Sequence, residues 1–128
     1  MHKMIMPTGS TVRLTATAGP QTGVHRWAVQ VHGVGATAAT PARLVYGSQI
    51  GGQDREQRID IPAQDIDCRL EVRGQHALDG GEWRDDRLTV LDDTPSQLDI
   101  GFFNPARAGA HANDVLLSFA FAHPHPQT

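Results

Sequence analysis

Short stretches in which apolar and polar residues alternate one by one recur along almost the whole chain. In residues 11–18, TVRLTATA, every second residue is apolar. A period of two places alternate side chains on opposite faces of a β-strand, so one face can enter a core while the other meets water. Glycine or proline interrupts nearly every window long enough for a helix, and no capped 3.6-residue pattern is present. The chain is therefore predicted to be all-β.

The same pattern predicts about eight strands separated by turn-forming residues. They cover residues 11–18, 25–32, 43–46, 57–61, 67–74, 87–91, 97–102 and 114–122. Many short strands with regular turns are typical of a sandwich or a closed barrel, and we predict one antiparallel β-sandwich formed by residues 1–128. The turn residues 19–23 predict a hairpin between the first two strands. The strand pattern resembles that of jelly-roll, C2-like and galactose-binding sandwiches, although it carries no residue-level motif of these folds.

Individual residues refine the predicted sandwich. Pro62 has no amide hydrogen to donate, so the strand at 57–61 is expected to end there or to lie at a sheet edge. The last strand, 114–122, is nearly apolar on both faces, which predicts a central position in its sheet. Trp27 and Cys68 fall in the inward phase of their strands and are predicted to belong to the core.

Composition and charge exclude several classes of protein. One cysteine among 128 residues excludes an internal disulfide, and the length is that of one ordinary domain. The net charge is −3 and the basic residues are scattered, so nucleic acid is not expected as a partner. No apolar stretch has the length of a signal peptide or a membrane span, which favours a cytoplasmic protein, with non-classical export or a phage origin as alternatives.

The two ends of the chain are expected to lie outside the regular strands. Residues 1 to about 8 are interpreted as a flexible N-terminus. The C-terminal tail, from about 123 to 128, contains two prolines that disfavour strand pairing. We expect this tail to fray or to lie along the surface.

An acidic, glycine-rich loop at 79–86 is a candidate metal site. Calcium takes roughly six to eight oxygen ligands, and neighbouring loops of a sandwich can supply carboxylates to one point. The candidate ligands are Asp79, Glu82, Asp85 and Asp114. The spacing does not match an EF-hand, and the simpler interpretation is that acidic residues with glycine form soluble turns. No cofactor is expected except calcium, which this loop leaves open.

Four further side chains are candidates for ligand binding. Trp83 offers a large apolar face to a sugar or a protein, or else it closes the open end of the core. The loop 104–113 carries Arg107 and His111, unless it serves only as a crossover between sheets. His76 completes the set, and with Asp79 and His111 it would form the site of a small metal-dependent hydrolase.

No set of residues in the sequence supplies the acid, the base and the orienting group that catalysis requires. The favoured function is therefore a non-catalytic binding or assembly module that recognises a carbohydrate or a protein, including a second copy of itself in a homo-oligomer. A calcium-dependent lectin-like domain and a small metal-dependent hydrolase are the alternatives.

Overall fold

The computed structural model describes residues 1–19, 23–78, 81–104 and 114–126. These residues form ten β-strands and no helix, which confirms the all-β class with two strands more than the sequence predicts. The strands are β1 (His2–Met6), β2 (Val12–Ala18), β3 (His25–Gly33), β4 (Leu44–Ile50), β5 (Glu56–Ile61), β6 (Cys68–Ala77), β7 (Trp83–Asp85), β8 (Arg87–Thr94), β9 (Gln97–Phe103) and β10 (Val115–Phe121).

The strands form two antiparallel sheets. The first sheet has the order β1-β6-β3-β4, and the short β7 also pairs with β6. The second sheet has the order β5-β2-β10-β9-β8. As predicted, β10 is central in its sheet, and β5, which ends at Ile61 just before Pro62, lies at an edge. The antiparallel β-sandwich is confirmed.

The period of two in the sequence accounts for the core between the sheets. In β2, β3 and β10 every second side chain is buried, and these inward faces join in one apolar cluster. Phe102 and Phe119 are the largest of its fully buried side chains. Burying a phenylalanine or a branched aliphatic side chain contributes roughly 1.5–3 kcal/mol each. Trp27 and Cys68 lie in this core, as predicted.

One glycine in β6 makes room for a phenylalanine ring of the core. A Cβ atom added at Gly74 would lie 2.5 Å from Cδ2 of Phe102, closer than two carbon atoms can approach. The absence of a side chain at Gly74 therefore lets the Phe102 ring pack against the β6 backbone. The same ring lies 5.9 Å, centroid to centroid, from the imidazole of His25 at the start of β3.

The predicted hairpin of the first two strands is wrong. β2 pairs with β5 and β10 in the second sheet, whereas β3 pairs with β4 and β6 in the first. The chain between them therefore passes from one sheet to the other. Glycine and proline end a strand in the same way whether the next strand is a neighbour or a member of the opposite sheet, so turn composition could not distinguish the two cases.

The expected flexible N-terminus, at about residues 1–8, is also incorrect. Residues 2–6 form β1, which pairs with β6 and buries Met4 and Met6. Beyond this strand, the backbone nitrogen and the hydroxyl of Thr8 both donate to Oδ1 of Asp67 at 2.8 Å. The alternating methionines follow the period of two, but the run is short and lies at the chain end. The sequence pattern therefore does not predict this strand.

The described part of the C-terminal tail, residues 123–126, packs onto the sandwich. The backbone nitrogen of His123 donates to Oγ of Ser10 at 3.1 Å, and that of His125 donates to the carbonyl oxygen of Pro95 at 2.9 Å. The His125 ring is buried and stacks on Phe121, with 4.2 Å between the centroids. This histidine therefore belongs to the folded body and does not fray.

Candidate functional site

A groove of about 630 Å³ runs along the outer face of the first sheet. Its floor lies where Ala28 of β3 faces Gly47 of β4, two residues with little or no side chain. Longer side chains from β3, β6 and β4 line its sides: Arg26, Gln30, Arg73, Gln75, Val45 and Gln49. The groove is thus an open depression on the sheet, with both polar and apolar groups in its lining.

Trp83 lies beside this groove on β7 and is held by a cation. The Cζ atom of Arg26 is 4.3 Å from the centroid of the Trp83 ring. Nε of Arg26 donates to Oε1 of Gln75 at 2.6 Å, and Nε2 of Gln75 donates to Oδ1 of Asp85 at 2.9 Å. A guanidinium over an indole at the protein surface contributes about 0.5–1 kcal/mol. These contacts join β3, β6 and β7 and orient the indole on the sheet surface.

A second cluster lies buried where the chain crosses from β7 to β8. Asp86 occupies this corner, and its backbone nitrogen donates to the carbonyl oxygen of Gly74 at 2.8 Å. Nδ1 of His25 lies 2.8 Å from one carboxylate oxygen of Asp86, and Nδ1 of His76 lies 2.7 Å from the other. A carboxylate accepts both hydrogen bonds when each ring carries its hydrogen on Nδ1.

Asp114, just before β10, extends the buried cluster. Its Oδ2 lies 3.9 Å from Nε2 of His25 and accepts a hydrogen bond from the backbone nitrogen of Asn104 at 3.3 Å. The side chains of His25, His76, Asp86 and Asp114 are all buried. They connect both sheets at one end of the sandwich, and their polar atoms face one another, so this cluster is suited to support the fold.

The predicted calcium ligands do not converge in the described part of the chain. Oε1 of Glu82 lies 3.3 Å from Nε of Arg84 on the surface, Asp85 accepts a hydrogen bond from Gln75, and Asp114 is buried beside His25. Asp79 lies outside the described residues. Among the described residues, no three His, Cys, Asp or Glu side chains are grouped so that they could hold a metal ion.

Two of the four predicted ligand-binding residues can be placed. Trp83 is half-buried on the outer face of the first sheet, so it does not close the core. His76 belongs to strand β6 and not to a loop, and it is 5% exposed. Arg107 and His111 lie outside the described residues. Of the hydrolase site predicted from His76, Asp79 and His111, the structure therefore places only His76, which is paired with Asp86.

The comparisons with known proteins bear on the fold. No protein-family model matches the sequence, and no curated protein sequence matches it significantly. The structure is similar to lectin CV2L of Chromobacterium violaceum in complex with alpha-methyl-fucoside, with a TM-score of 0.54, 11% identity and coverage of 91% of this chain and 92% of that one. The chain has the β-sandwich fold of such lectins.

Two further lectin structures show the same likeness. The high-affinity mannose-binding lectin of Ralstonia solanacearum gives a TM-score of 0.54 at 10% identity, covering 91% of this chain and 92% of that one. The C-terminal domain of the BC2L-C lectin from Burkholderia cenocepacia gives 0.51 at 12% identity, covering 91% of each chain. The lectin-type sandwich therefore accounts for nearly the whole chain. Within the described residues, no helix has the length and apolarity needed to cross a membrane.

Sequence reasoning missed the partners that make each cluster. For the buried cluster, a signal was present, because His25 shares the inward phase of Trp27 along β3. For the groove, Arg26 is recognisable as outward-facing from the same alternation. The missing information is the strand order, since only the pairing of β3 with β4 and β6 brings Arg26, Gly47 and Arg73 onto one surface.

Proposed function

We propose that this chain is a non-catalytic carbohydrate-binding module that holds a sugar in the groove on the outer face of the first sheet. The observation that carries the proposal is the indole of Trp83, held by Arg26 beside that groove. An aromatic face packs against the apolar face of a sugar ring at a low cost in conformational entropy. Trp83 is only partly buried, so part of its surface is open to a ligand.

The lining of the groove has the chemistry that sugar hydroxyls require. The amides of Gln30, Gln49 and Gln75 each offer donors and an acceptor, so they match hydroxyl groups in either role. The volume of about 630 Å³ lies within the range of roughly 300–1,000 Å³ that is typical of small-molecule sites. Since Gln75 is fixed between Arg26 and Asp85, part of this surface is ordered before a ligand arrives.

The described titratable groups support binding without catalysis. A general acid or base must reach the substrate within hydrogen-bond distance. Asp85 is engaged by Gln75, while His25, His76 and Asp86 contact one another in the interior. The lectins that share the fold add support for a sugar as the ligand, because one was solved with a fucoside and another is described as mannose-binding.

The proposal is tested by titrating the protein with a panel of monosaccharides and oligosaccharides and measuring the heat of binding by calorimetry. We expect Trp83→Ala to weaken binding at least about tenfold, the equivalent of about 1.4 kcal/mol. Leu91→Ala is the control, because Leu91 is an exposed apolar residue on the second sheet and its loss leaves the groove intact. The absence of binding to every sugar, or unchanged affinity in Trp83→Ala, contradicts the proposal.

Tryptophan fluorescence gives an independent readout. Trp27 also borders the groove, but it is 3% exposed and its Nε1 donates to Oε1 of Gln57 at 2.8 Å, so we expect a sugar to contact the Trp83 ring more than the Trp27 ring. We expect saturating sugar to change the emission of the wild type and to leave that of Trp83→Phe nearly unchanged. An equal change of emission in the wild type and in Trp83→Phe would place the ligand away from Trp83 and the groove.

Whether sugar binding requires calcium is tested in the same titrations. Two of the predicted ligands can be placed: Glu82 comes just before β7 and Asp114 just before β10. A calcium-dependent lectin would bind sugar with calcium and lose it with a chelator, and Asp114→Asn would weaken the calcium-supported binding. A groove that needs no metal binds the sugar with the same affinity in the calcium buffer and in the chelator buffer.

A further inference from the structure

We infer that the sugar held in this groove is anionic and carries a carboxylate, as uronic acids do. This inference rests on the proposed function and adds the charge of the ligand. The groove is lined by two arginines, Arg26 and Arg73, and by no aspartate or glutamate. The chain as a whole has a net charge of −3, so the groove has the sign opposite to that of the protein.

The two arginines are close enough to act on one ligand. In the pairing of β3 with β6, Arg26 faces Gln75 and Ala28 faces Arg73, so the two arginines are diagonal neighbours on the outer face. Diagonal positions on adjacent strands are about 7–8 Å apart, within reach of long side chains. One carboxylate, or the carboxylates of two adjacent sugar units, can therefore contact both guanidinium groups.

No carboxylate in the described part of the chain pairs with Arg26 or Arg73, and the same holds for Arg55, Arg58 and Arg87. Carboxylates lie 2.9–3.3 Å from the guanidinium nitrogens of four others, Arg13, Arg43, Arg69 and Arg84. Arg26 and Arg73 form no ion pair with any residue in the described ranges. No carboxylate among the described residues neutralises either charge, although Arg26 also lies over the Trp83 ring.

Two acidic residues lie on the same face of the sheet but do not line the groove. At one end Asp85 accepts a hydrogen bond from Gln75. At the other, Glu71 faces Gln30 in the β3–β6 pairing and accepts a hydrogen bond from Nε of Arg69 at 2.9 Å. This bond lowers the pKa of Glu71, and the nearby His32 acts in the same direction. Both carboxylates lie outside the lining of the groove, in which arginine is the only charged residue type.

Arginine is well matched to a carboxylate. Its planar guanidinium donates two parallel hydrogen bonds to the two oxygens, which a lysine cannot do. Arg26 is already oriented by the Trp83 ring and by Gln75, so less side-chain freedom is lost on binding. The arrangement places an aromatic ring beside an oriented guanidinium, suited to a sugar ring that bears a carboxylate.

The experiment compares trigalacturonate with its methyl ester, which has the same rings and linkages without the charge. We expect calorimetry to show at least tenfold tighter binding of the acid, with a difference that shrinks as salt is added. Arg73→Gln is expected to lose this preference while it still binds the ester. Arg73→Lys keeps the charge but cannot donate two parallel hydrogen bonds to a carboxylate, so it is expected to retain only part of the preference for the acid.

Arg58→Gln is the matched control, because it removes the same charge from the outer face of the second sheet. It is expected to leave both affinities unchanged, and equal losses in Arg58→Gln and Arg73→Gln overturn the inference. Equal binding of acid and ester also overturns it but leaves the proposed function standing. The absence of binding to every sugar, charged or neutral, instead refutes the proposed function itself.

Discussion

Nδ1 of His25, at the start of β3, lies 2.8 Å from the fully buried carboxylate of Asp86. Asp86 occupies the corner between β7 and β8, where the chain leaves the first sheet and enters the second. Its other carboxylate oxygen lies 2.7 Å from Nδ1 of His76, near the end of β6. One acidic side chain thus holds three segments together at one end of the sandwich.

Substitution of Asp86 is expected to destabilise the protein strongly. Asp86→Ala leaves two buried ring nitrogens without their acceptor, and each buried donor left unsatisfied costs about 1–3 kcal/mol. Asp86→Asn keeps one carbonyl acceptor, so a smaller loss is expected. Urea denaturation of the three proteins measures the free energy of unfolding.

The control for this prediction is an ion pair at the surface. Asp60 lies 3.0 Å from Nε of Arg13, with 69% of its side chain exposed. Asp60→Ala is expected to change the free energy of unfolding by no more than about 1 kcal/mol. If Asp86→Ala is no more destabilising than Asp60→Ala, the buried network does not stabilise the fold.

Gly74→Ala is expected to lower stability by about 1–3 kcal/mol. The new methyl group would meet the ring of Phe102 at 2.5 Å, and overpacking a close-packed core forces side chains and backbone to shift. Gly23→Ala is the matched substitution, because a Cβ atom at Gly23 meets nothing within 4 Å. Thermal and urea denaturation of both variants gives the comparison, and equal stability would show that Phe102 moves aside without cost.

The strand alternation was sufficient to predict the architecture but not its connections. Inward positions such as Trp27 and Cys68, the edge at Pro62 and the central β10 all follow from local sequence. The order of strands depends on pairing between residues far apart in the chain, and the packing of one sheet on the other is set by the whole core. This is why the β2–β3 connection was misinterpreted as a hairpin.

The candidate site was predictable only in part for the same reason. Trp83 was recognised because a tryptophan among glycines and acids is conspicuous in any sequence. Its partner Arg26 is 57 positions away and becomes a neighbour only through the pairing of β3 with β6 and of β6 with β7. Asp86 and Asp85 looked equivalent as acidic loop residues, yet one is buried at the corner and the other lies on the sheet surface.

His2 is a group whose burial links stability to pH. Its Nε2 atom is buried and has no hydrogen-bond partner among the described residues. Burial disfavours the charged ring and lowers the pKa of His2 below its usual 6.5, although the charge of Asp93 partly opposes this. Below about pH 6.5 the unfolded chain therefore binds a proton at His2 more readily than the folded protein does.

The free energy of unfolding is accordingly expected to fall as the pH drops from about 6.5 through the lowered pKa of folded His2. Above that range the ring is neutral in both states, so its titration no longer changes stability. His2→Gln removes the titrating ring, so the variant should lose less stability than the wild type between about pH 7.5 and pH 5. Urea denaturation at a series of pH values measures both slopes. Parallel slopes in the two proteins would mean that the His2 ring is as free to take up a proton in the folded protein as in the unfolded chain.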